Sequence, residues 1–249
     1  MQDKRVALVT GANQGIGLQI AKSLAENGFT VLVGSRNLEN GEKAAKTIKG
    51  DSRAIQLDVT DQVSIDSAAN RVRKELGRLD VLVNNAGIAH AGKQERSLAE
   101  VVKTGRASVA SLNEVRTVFE TNVFGVIAVT QAMLRLLRES PAGRIVNVSS
   151  GRASLTLASD PNESRRRDMF GITYSASKVA LNAVTVAFAL DLESSGIKVN
   201  AAAPGFTVTA MNNFEGRRTD EEAAREPVRL ALLGPDGPTG TFSDDNGPI

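Results

Sequence analysis

Six short apolar runs, each followed by a longer amphipathic one, constrain this chain more than any other feature of its sequence. "RVALVT", "FTVLVGS", "RAIQLDV", "LDVLVNN", "GRIVNVSS" and "IKVNAAAPG" read as strands. Their near-continuous apolar residues mark strands buried on both faces of a parallel sheet. Between them, "GIGLQIAKSLAENG" (closed by Gly28), "ENGEKAAKTIK", "DQVSIDSAANRVRKEL" and "SLNEVRTVFETNVFGVIAVTQAMLRLLRES" carry helical spacing, as does the segment opening at Tyr174. "TDEEAAREPVRLALL" predicts a last helix, with a break near Pro227. Ser111 with Glu114, and Thr219 with Glu222, predict capping boxes. Strict alternation of this kind gives an α/β fold: a Rossmann-like, doubly wound parallel β-sheet with helices on both faces. No linker divides the chain, so residues 1–249 are expected to form a single domain.

Three stretches break the alternation: "IAHAGKQERSLAEVVKTGRA", "GRASLTLASDPNESRRRDMFGIT" and "FTVTAMNNFEGRR". Each follows the C-terminal end of a strand, the edge where open α/β sheets bind ligands. They are candidate substrate walls and lids. The run Arg165 to Arg167 is bracketed by Glu163 and Asp168 and reads as a solvated loop.

Charge and composition remove several classes of function. Lys and Arg total 30 against 28 Asp and Glu, so neither nucleic acid nor an acidic membrane surface is an expected partner. With no cysteine there is no disulfide, thiolate metal site or Cys nucleophile. His90 is the only histidine and reads as a loop residue, not a metal ligand. No GxSxG elbow is present, which argues against a hydrolase. No apolar stretch reaches the ~18 residues of a membrane span. The start, "MQDKRVALVT", lacks a signal-peptide layout, and a cytoplasmic protein is expected.

The first strand ends in "TGANQGIG", with Gly11, Gly15 and Gly17 around Asn13, Gln14 and Ile16. Glycines at a strand-to-helix turn let backbone approach a pyrophosphate, and the helix N-terminus supplies N–H groups and positive dipole. The end of the second strand helps choose the nucleotide. An NAD site places an Asp or Glu there for the ribose 2′-OH. This chain has Ser35 and Arg36 instead, and an arginine pairs with a 2′-phosphate. NADP(H) is the expected cofactor.

Tyr174, the only tyrosine, stands four residues before Lys178 in "YSASK", so phenol and ammonium lie on one helix face. Taken with "TGANQGIG", Asp58 in "LDV", "NNAG" from Asn84 to Gly87, Asn122 in "FETN", Ser150 in "NVSS" and "PGFTVT" from Pro204 to Thr209, the chain resembles the short-chain dehydrogenase/reductase family in its compact form. Arg36 and the long insertions look most like its carbonyl reductase group. The resemblance covers nearly the whole chain. It implies that Asp58 and Val59 hold the adenine and that Asn85, with Ala86 and Gly87, lies on the adenosine ribose side. It also implies that Thr209, after Pro204 and Gly205, reaches the nicotinamide carboxamide.

The catalytic set implied is Asn122, Ser150, Tyr174 and Lys178. Hydride attack on a carbonyl builds negative charge on oxygen, which must be protonated. A phenol has an ordinary pKa near 10, and an ammonium within a few ångströms lowers it. Tyr174 is then general acid and base, and Ser150 hydrogen-bonds the substrate oxygen where charge develops. By the resemblance, Lys178 also holds the nicotinamide ribose, and Asn122 holds a water that links Lys178 to solvent.

Three features depart from the family's compact pattern. Tyr174 follows Ser150 by 24 positions, about twice the usual spacing. The connection from "NNAG" to Asn122 is roughly ten residues longer, a length at which loops are usually functional. The end at "GPI" is short. The function expected is NADPH-dependent reduction of a small-molecule ketone or aldehyde. An oxidative alcohol dehydrogenase and a 3-oxoacyl reductase share this chemistry, and a non-catalytic NADP(H) sensor is the alternative of another class. A monomer is expected over a dimer or tetramer, with the charged segment before Tyr174 covering the face through which compact members pair.

Overall fold

The computed structural model describes residues 4–92 and 96–249, and in Arg165, Arg166 and Asn212 the backbone alone. β1 (Val6–Val9) runs through the glycine-rich turn into α1 (Gly15–Glu26). β2 (Thr30–Ser35), α2 (Leu38–Ala45), β3 (Ser52–Gln56), α3 (Gln62–Leu76) and β4 (Val81–Asn84) follow. α4 (Leu98–Thr104) and α5 (Leu112–Phe119) come next. A π turn (Glu120–Phe124) joins α5 to α6 (Gly125–Arg138), which leads to β5 (Arg144–Val148). A 3₁₀ turn (Gly151–Ala153), α7 (Leu155–Ser159) and α8 (Ser164–Met169) precede α9 (Tyr174–Asp191). The chain ends through β6 (Lys198–Ala202), α10 (Asp220–Ala231), β7 (Phe242–Asp244) and β8 (Gly247–Pro248).

Among the described residues the sheet orders its strands β3-β2-β1-β4-β5-β6-β7-β8. β1 to β7 pair in parallel, and β8 turns back antiparallel on β7. The chain moves outward from β1 to β3, then returns to lay β4 on β1's other side. Ligands bind at such a reversal. Successive strand residues feed opposite faces. Leu8, Leu32, Leu82 and Ile145 pack on α3 and α6; Val9, Val33, Val83 and Val146 pack on α1 and α10. Both faces are covered over β1, β2, β4 and β5, as the apolar runs predict, whereas β3, at the sheet's edge, buries only Ile55. At the sheet's far end, the buried Asp80 carboxylate accepts from Val6 N and Ser140 Oγ. The same end is tied to the chain after α10 by buried Arg144, which donates to the carbonyls of Leu233 and Gly234.

Several local expectations change. Ser111 makes no side-chain cap, and the Glu114 carboxylate, the other half of the expected box, pairs with Arg96 at 2.8 Å. The boxes that form are Ser97 with Glu100 and, as expected, Thr219 with Glu222. Ser97 starts α4 inside a stretch the sequence leaves irregular. Its remaining residues 93–95 lie outside the described residues. α10 does not break at Pro227. Ala223, Ala224, Pro227, Leu230 and Ala231 are buried together, and that packing offsets the hydrogen bond proline cannot make. The helical run Leu112–Arg138 has the length and hydropathy of a membrane span, which the sequence reading did not find. Its Val129, Met133, Leu136 and Leu137 are buried in the core beside the sheet. β7 and β8 were not predicted. They are three and two residues long, too short for periodicity to reveal.

Candidate active site

The glycine trio works by two means. Gly11 and Gly15 have φ of +62° and +57°, where a side chain is strained. Gly17 has no room: a Cβ there would lie 2.4 Å from Asn85 Nδ2 and 2.6 Å from the Gly11 carbonyl oxygen. Gln14 makes no side-chain cap, and the first turn of α1 holds no acid. The helix N-terminus therefore keeps its N–H groups and positive dipole uncompensated. Ile16 packs on the core beside the turn.

The end of β4 is tied to this turn. Asn85 Nδ2 donates to the carbonyls of Thr10 at 2.9 Å and Gly11 at 3.1 Å. Thr10 Oγ1 accepts from the backbone N–H groups of Asn85 and Ala86, both at 3.0 Å. The Asn85 amide thus holds the loop's shape. Gly87 comes next, and a Cβ there would stand 3.2 Å from Asn122 Oδ1 and 3.5 Å from Lys178 Nζ. The "NNAG" segment is the bridge between the glycine-rich turn and the Asn122–Lys178 pair.

Two further groups mark the sheet's outer end. Ser35 is buried and donates its hydroxyl to the Asn37 carbonyl. Arg36 is exposed, and its guanidinium has no ion-pair partner among the described residues. Asp58 spends Oδ1 on the N–H and hydroxyl of Thr60, and buried Val59 sets its carbonyl against Gly125. On the other side, Pro204 to Thr209 leave the end of β6, with Gly205 against Arg218 and the Thr209 carbonyl accepting from Phe214 N. Arg36 and Asp58 do not touch Ser150 or Tyr174.

Asn122 lies in the π turn and is fully buried. Its Oδ1 accepts from Ile88 N, and its Nδ2 donates to the Ile88 carbonyl and to Ser177 Oγ. Beneath it, Asn84 Nδ2 donates to Asn147 Oδ1 and Thr130 Oγ1, and Asn147 Nδ2 donates to Thr185 Oγ1. This buried network ties β4, β5, α6 and α9 together.

Ser150 ends the turn from β5, with its hydroxyl accepting from Arg152 N at 3.3 Å. Tyr174 opens α9, and Lys178, one turn on, donates to the Val148 carbonyl at 2.8 Å. Burial pushes the Lys178 ammonium down to about 8. Burial also pushes the Tyr174 phenol above its ordinary value, while the charge of Arg152 and a hydrogen bond from Ser150 pull it back. Arg152, which the sequence reading did not single out, acts against that rise beside Lys178. A cavity of about 740 Å³ opens beside these groups, lined in part by Ser150, Arg152, Leu157, Met169, Phe206 and Ile249. Its size suits a small organic molecule.

A family model described as short chain dehydrogenase matches residues 5–220. The chain belongs to the short-chain dehydrogenase family. A short-chain dehydrogenase, anuI, of Penicillium roqueforti (strain FM164) is 37% identical, over 93% of this chain and 90% of that protein. Salutaridine reductase of Papaver somniferum is 32% identical, over 97% of this chain and 94% of its own. Its solved structure superposes with a TM-score of 0.79, covering 96% of this chain and 99% of that one. The structure of a 3-ketoacyl-(acyl-carrier-protein) reductase from Brucella melitensis complexed with NADH also reaches 0.79, at 26% identity, over 97% of this chain and 96% of its own. The fold is the NAD(P)-binding Rossmann type of this oxidoreductase family.

Sequence reasoning missed Arg152, Ser177 and Thr10. Arg152 stands two residues after Ser150, at the start of a stretch read only as a wall. Thr10 and Ser177 sit inside the quoted motifs, but their hydroxyls act on neighbours distant in sequence.

Proposed function

We propose that this short-chain dehydrogenase is an NADPH-dependent carbonyl reductase that converts a ketone or aldehyde to an alcohol, with Tyr174 as proton donor. The observation that carries the reading is that Ser150, which lines the cavity, hydrogen-bonds Tyr174, and that Tyr174 opens the helix carrying buried Lys178 one turn on. The glycine-rich turn fits a dinucleotide, since α1 opens there with no side-chain cap and no acid in its first turn. Gly11, Asn13, Gln14, Gly15 and Ile16 border the pyrophosphate. Asp58 and Val59 hold the adenine, and Lys178 and Thr209 hold the nicotinamide end. Arg36 supports the phosphorylated cofactor: it is a cation without an ion-pair partner among the described residues, where a 2′-OH reader would be acidic. Among relatives, salutaridine reductase and (-)-isopiperitenone reductase of Mentha piperita support the reductive direction.

When bound, the nicotinamide supplies the hydride. Ser150 donates a hydrogen bond to the carbonyl oxygen as charge develops on it. Tyr174 gives that oxygen its phenolic proton. Burial raises the phenol above its ordinary value, and the Arg152 charge and the Ser150 hydrogen bond act against that rise and favour release of the proton. Lys178 replaces charge at the phenolate, and Asn122 holds α9 in register through Ser177.

A monomer remains our reading of the assembly. Phe124, Val186 and Leu190 are the exposed apolar residues that self-association would cover, and light scattering at micromolar concentration distinguishes the two. The absence of cysteine suits a reducing cytoplasm. The test of function is a panel of ketones and aldehydes with NADPH, followed by loss of its absorbance. Sustained consumption with at least one supports the reading. NADPH binding with no turnover on any of them would support the sensor instead.

A further inference from the structure

Arg152 is a second cation beside Tyr174, and no carboxylate pairs with it among the described residues. Its guanidinium carbon lies 5.2 Å from the centre of the Tyr174 ring, nearer than Lys178 Nζ at 5.8 Å. Lys178 turns its ammonium to the Val148 carbonyl. Arg152 Nη2 donates to the Met169 carbonyl, and Nε is buried with no hydrogen-bond partner among the described residues. A half-buried guanidinium with a buried, unused donor and no carboxylate costs stability. Its placement calls for a compensating role in the cavity it lines with Ser150.

The charged groups around α9 single it out. On packed elements stand Glu114 and Arg116 of α5, Glu120 of the π turn and Lys198 of β6; Arg167 and Asp168 of α8 are exposed. Glu114 is paired with Arg96. On α9 itself stand Lys178 and Asp191. Arg152 acts against the rise that burial causes in the phenol, and its guanidinium stands nearer the ring than the Lys178 ammonium.

We propose that Arg152 is a positioning residue for Tyr174, holding a fixed positive charge against the phenol so that the phenolate left by proton donation is stabilised. The role rests on Tyr174 being the proton donor. In the reductive step hydride forms the new C–H bond, the phenol proton forms the O–H bond, and a phenolate remains until solvent reprotonates it. Arg152 keeps its own protons throughout. It sets the pH at which the phenol and phenolate exchange.

The chain offers a direct readout. It has one tyrosine and no tryptophan, so tyrosinate absorbance of the full-length apoprotein reports Tyr174 alone. Arg152→Gln keeps a donor for the Met169 carbonyl and removes the charge. Its titration midpoint is expected to rise by about one pH unit or more, the scale of one opposite charge nearby. Arg152→Lys, which also guards against a folding defect, should return most of the shift. In alcohol oxidation the pH profile of kcat should move up with it. An unmoved midpoint in Arg152→Gln overturns the proposal, and a raised KM beside it would make Arg152 a substrate anchor. A moved midpoint with an unmoved kinetic profile would overturn Tyr174 as donor while leaving the electrostatic pair intact.

Discussion

Asn122 Nδ2 donates to Ser177 Oγ at 3.0 Å, joining the π turn to the helix that carries both Tyr174 and Lys178. Ser177 Oγ donates in turn to the Tyr174 carbonyl at 2.7 Å. The same Asn122 amide clamps both backbone groups of Ile88, in the loop after β4. A π turn is rare and often sits at a functional site. Here it interrupts the run from α5 into α6 at Asn122.

Asn122 is fully buried, and Asn122→Ala would leave both backbone groups of half-buried Ile88 without their partner. Each buried group left unsatisfied costs about 1–3 kcal/mol. We expect unfolding free energy in urea to fall by at least about 2 kcal/mol, with NADPH turnover reduced alongside. Unchanged stability would mean that the three hydrogen bonds do not hold the site.

Gly17→Ala puts a methyl group where Asn85 Nδ2 and the Gly11 carbonyl already stand. Overpacking of this kind costs about 1–3 kcal/mol, and here the displaced atoms form the nucleotide turn. Cofactor affinity, read by NADPH fluorescence titration, should drop by about tenfold or more. Wild-type affinity in this variant would remove the close approach from the account.

The doubly wound sheet was legible because its central strands are apolar runs alternating with amphipathic helices; β3, at the edge, is mostly polar and buries only Ile55. The core residues of β1 to β6 follow from those runs. Thr219 and Glu222 announced a cap that forms, while Ser111 and Glu114 announced one that does not, and Glu114 pairs with Arg96. Nothing in a local window predicts a partner 18 residues away. The π turn was hidden for a similar reason, since "ETNVF" is ordinary helix by composition and its distortion serves contacts to Ile88 and Ser177. Asn122, Ser150, Tyr174 and Lys178 could be named from motifs. Arg152 could not, because its meaning depends on a ring 22 positions later folding over to meet it.

Arg36→Asp should change the choice of nucleotide. A charge-assisted hydrogen bond contributes about 1.5–3 kcal/mol, or about one to two decades in affinity. The carboxylate would repel a 2′-phosphate and accept from a 2′-OH. The ratio of kcat/KM for NADPH to that for NADH should fall by about tenfold or more. A wild type that prefers NADH, or a ratio that does not move, refutes Arg36 as the phosphate reader.

Burial of Lys178 predicts a pH dependence of apoprotein stability. Its folded pKa is about 8 against an ordinary 10.5, so between those values the unfolded chain binds a proton that the native state has shed. Stability then rises with pH across the window, and the cost of the buried cation is fully present below it. The shift corresponds to about 3 kcal/mol. Measured by denaturant titration, the stability of wild type relative to Lys178→Met should grow by up to this amount from below pH 8 to above pH 10.5. A difference that stays flat across the window contradicts the assignment.

The most direct test of the account is Tyr174→Phe, which deletes one hydroxyl and keeps the ring. NADPH oxidation by wild type and variant would be followed with a ketone that the wild type reduces, and NADPH affinity measured in parallel. The account predicts unchanged affinity and a loss of kcat of at least about 10²-fold, the low end for a positioned general acid. Reduction by the variant at close to the wild-type rate would contradict the role of Tyr174 as proton donor.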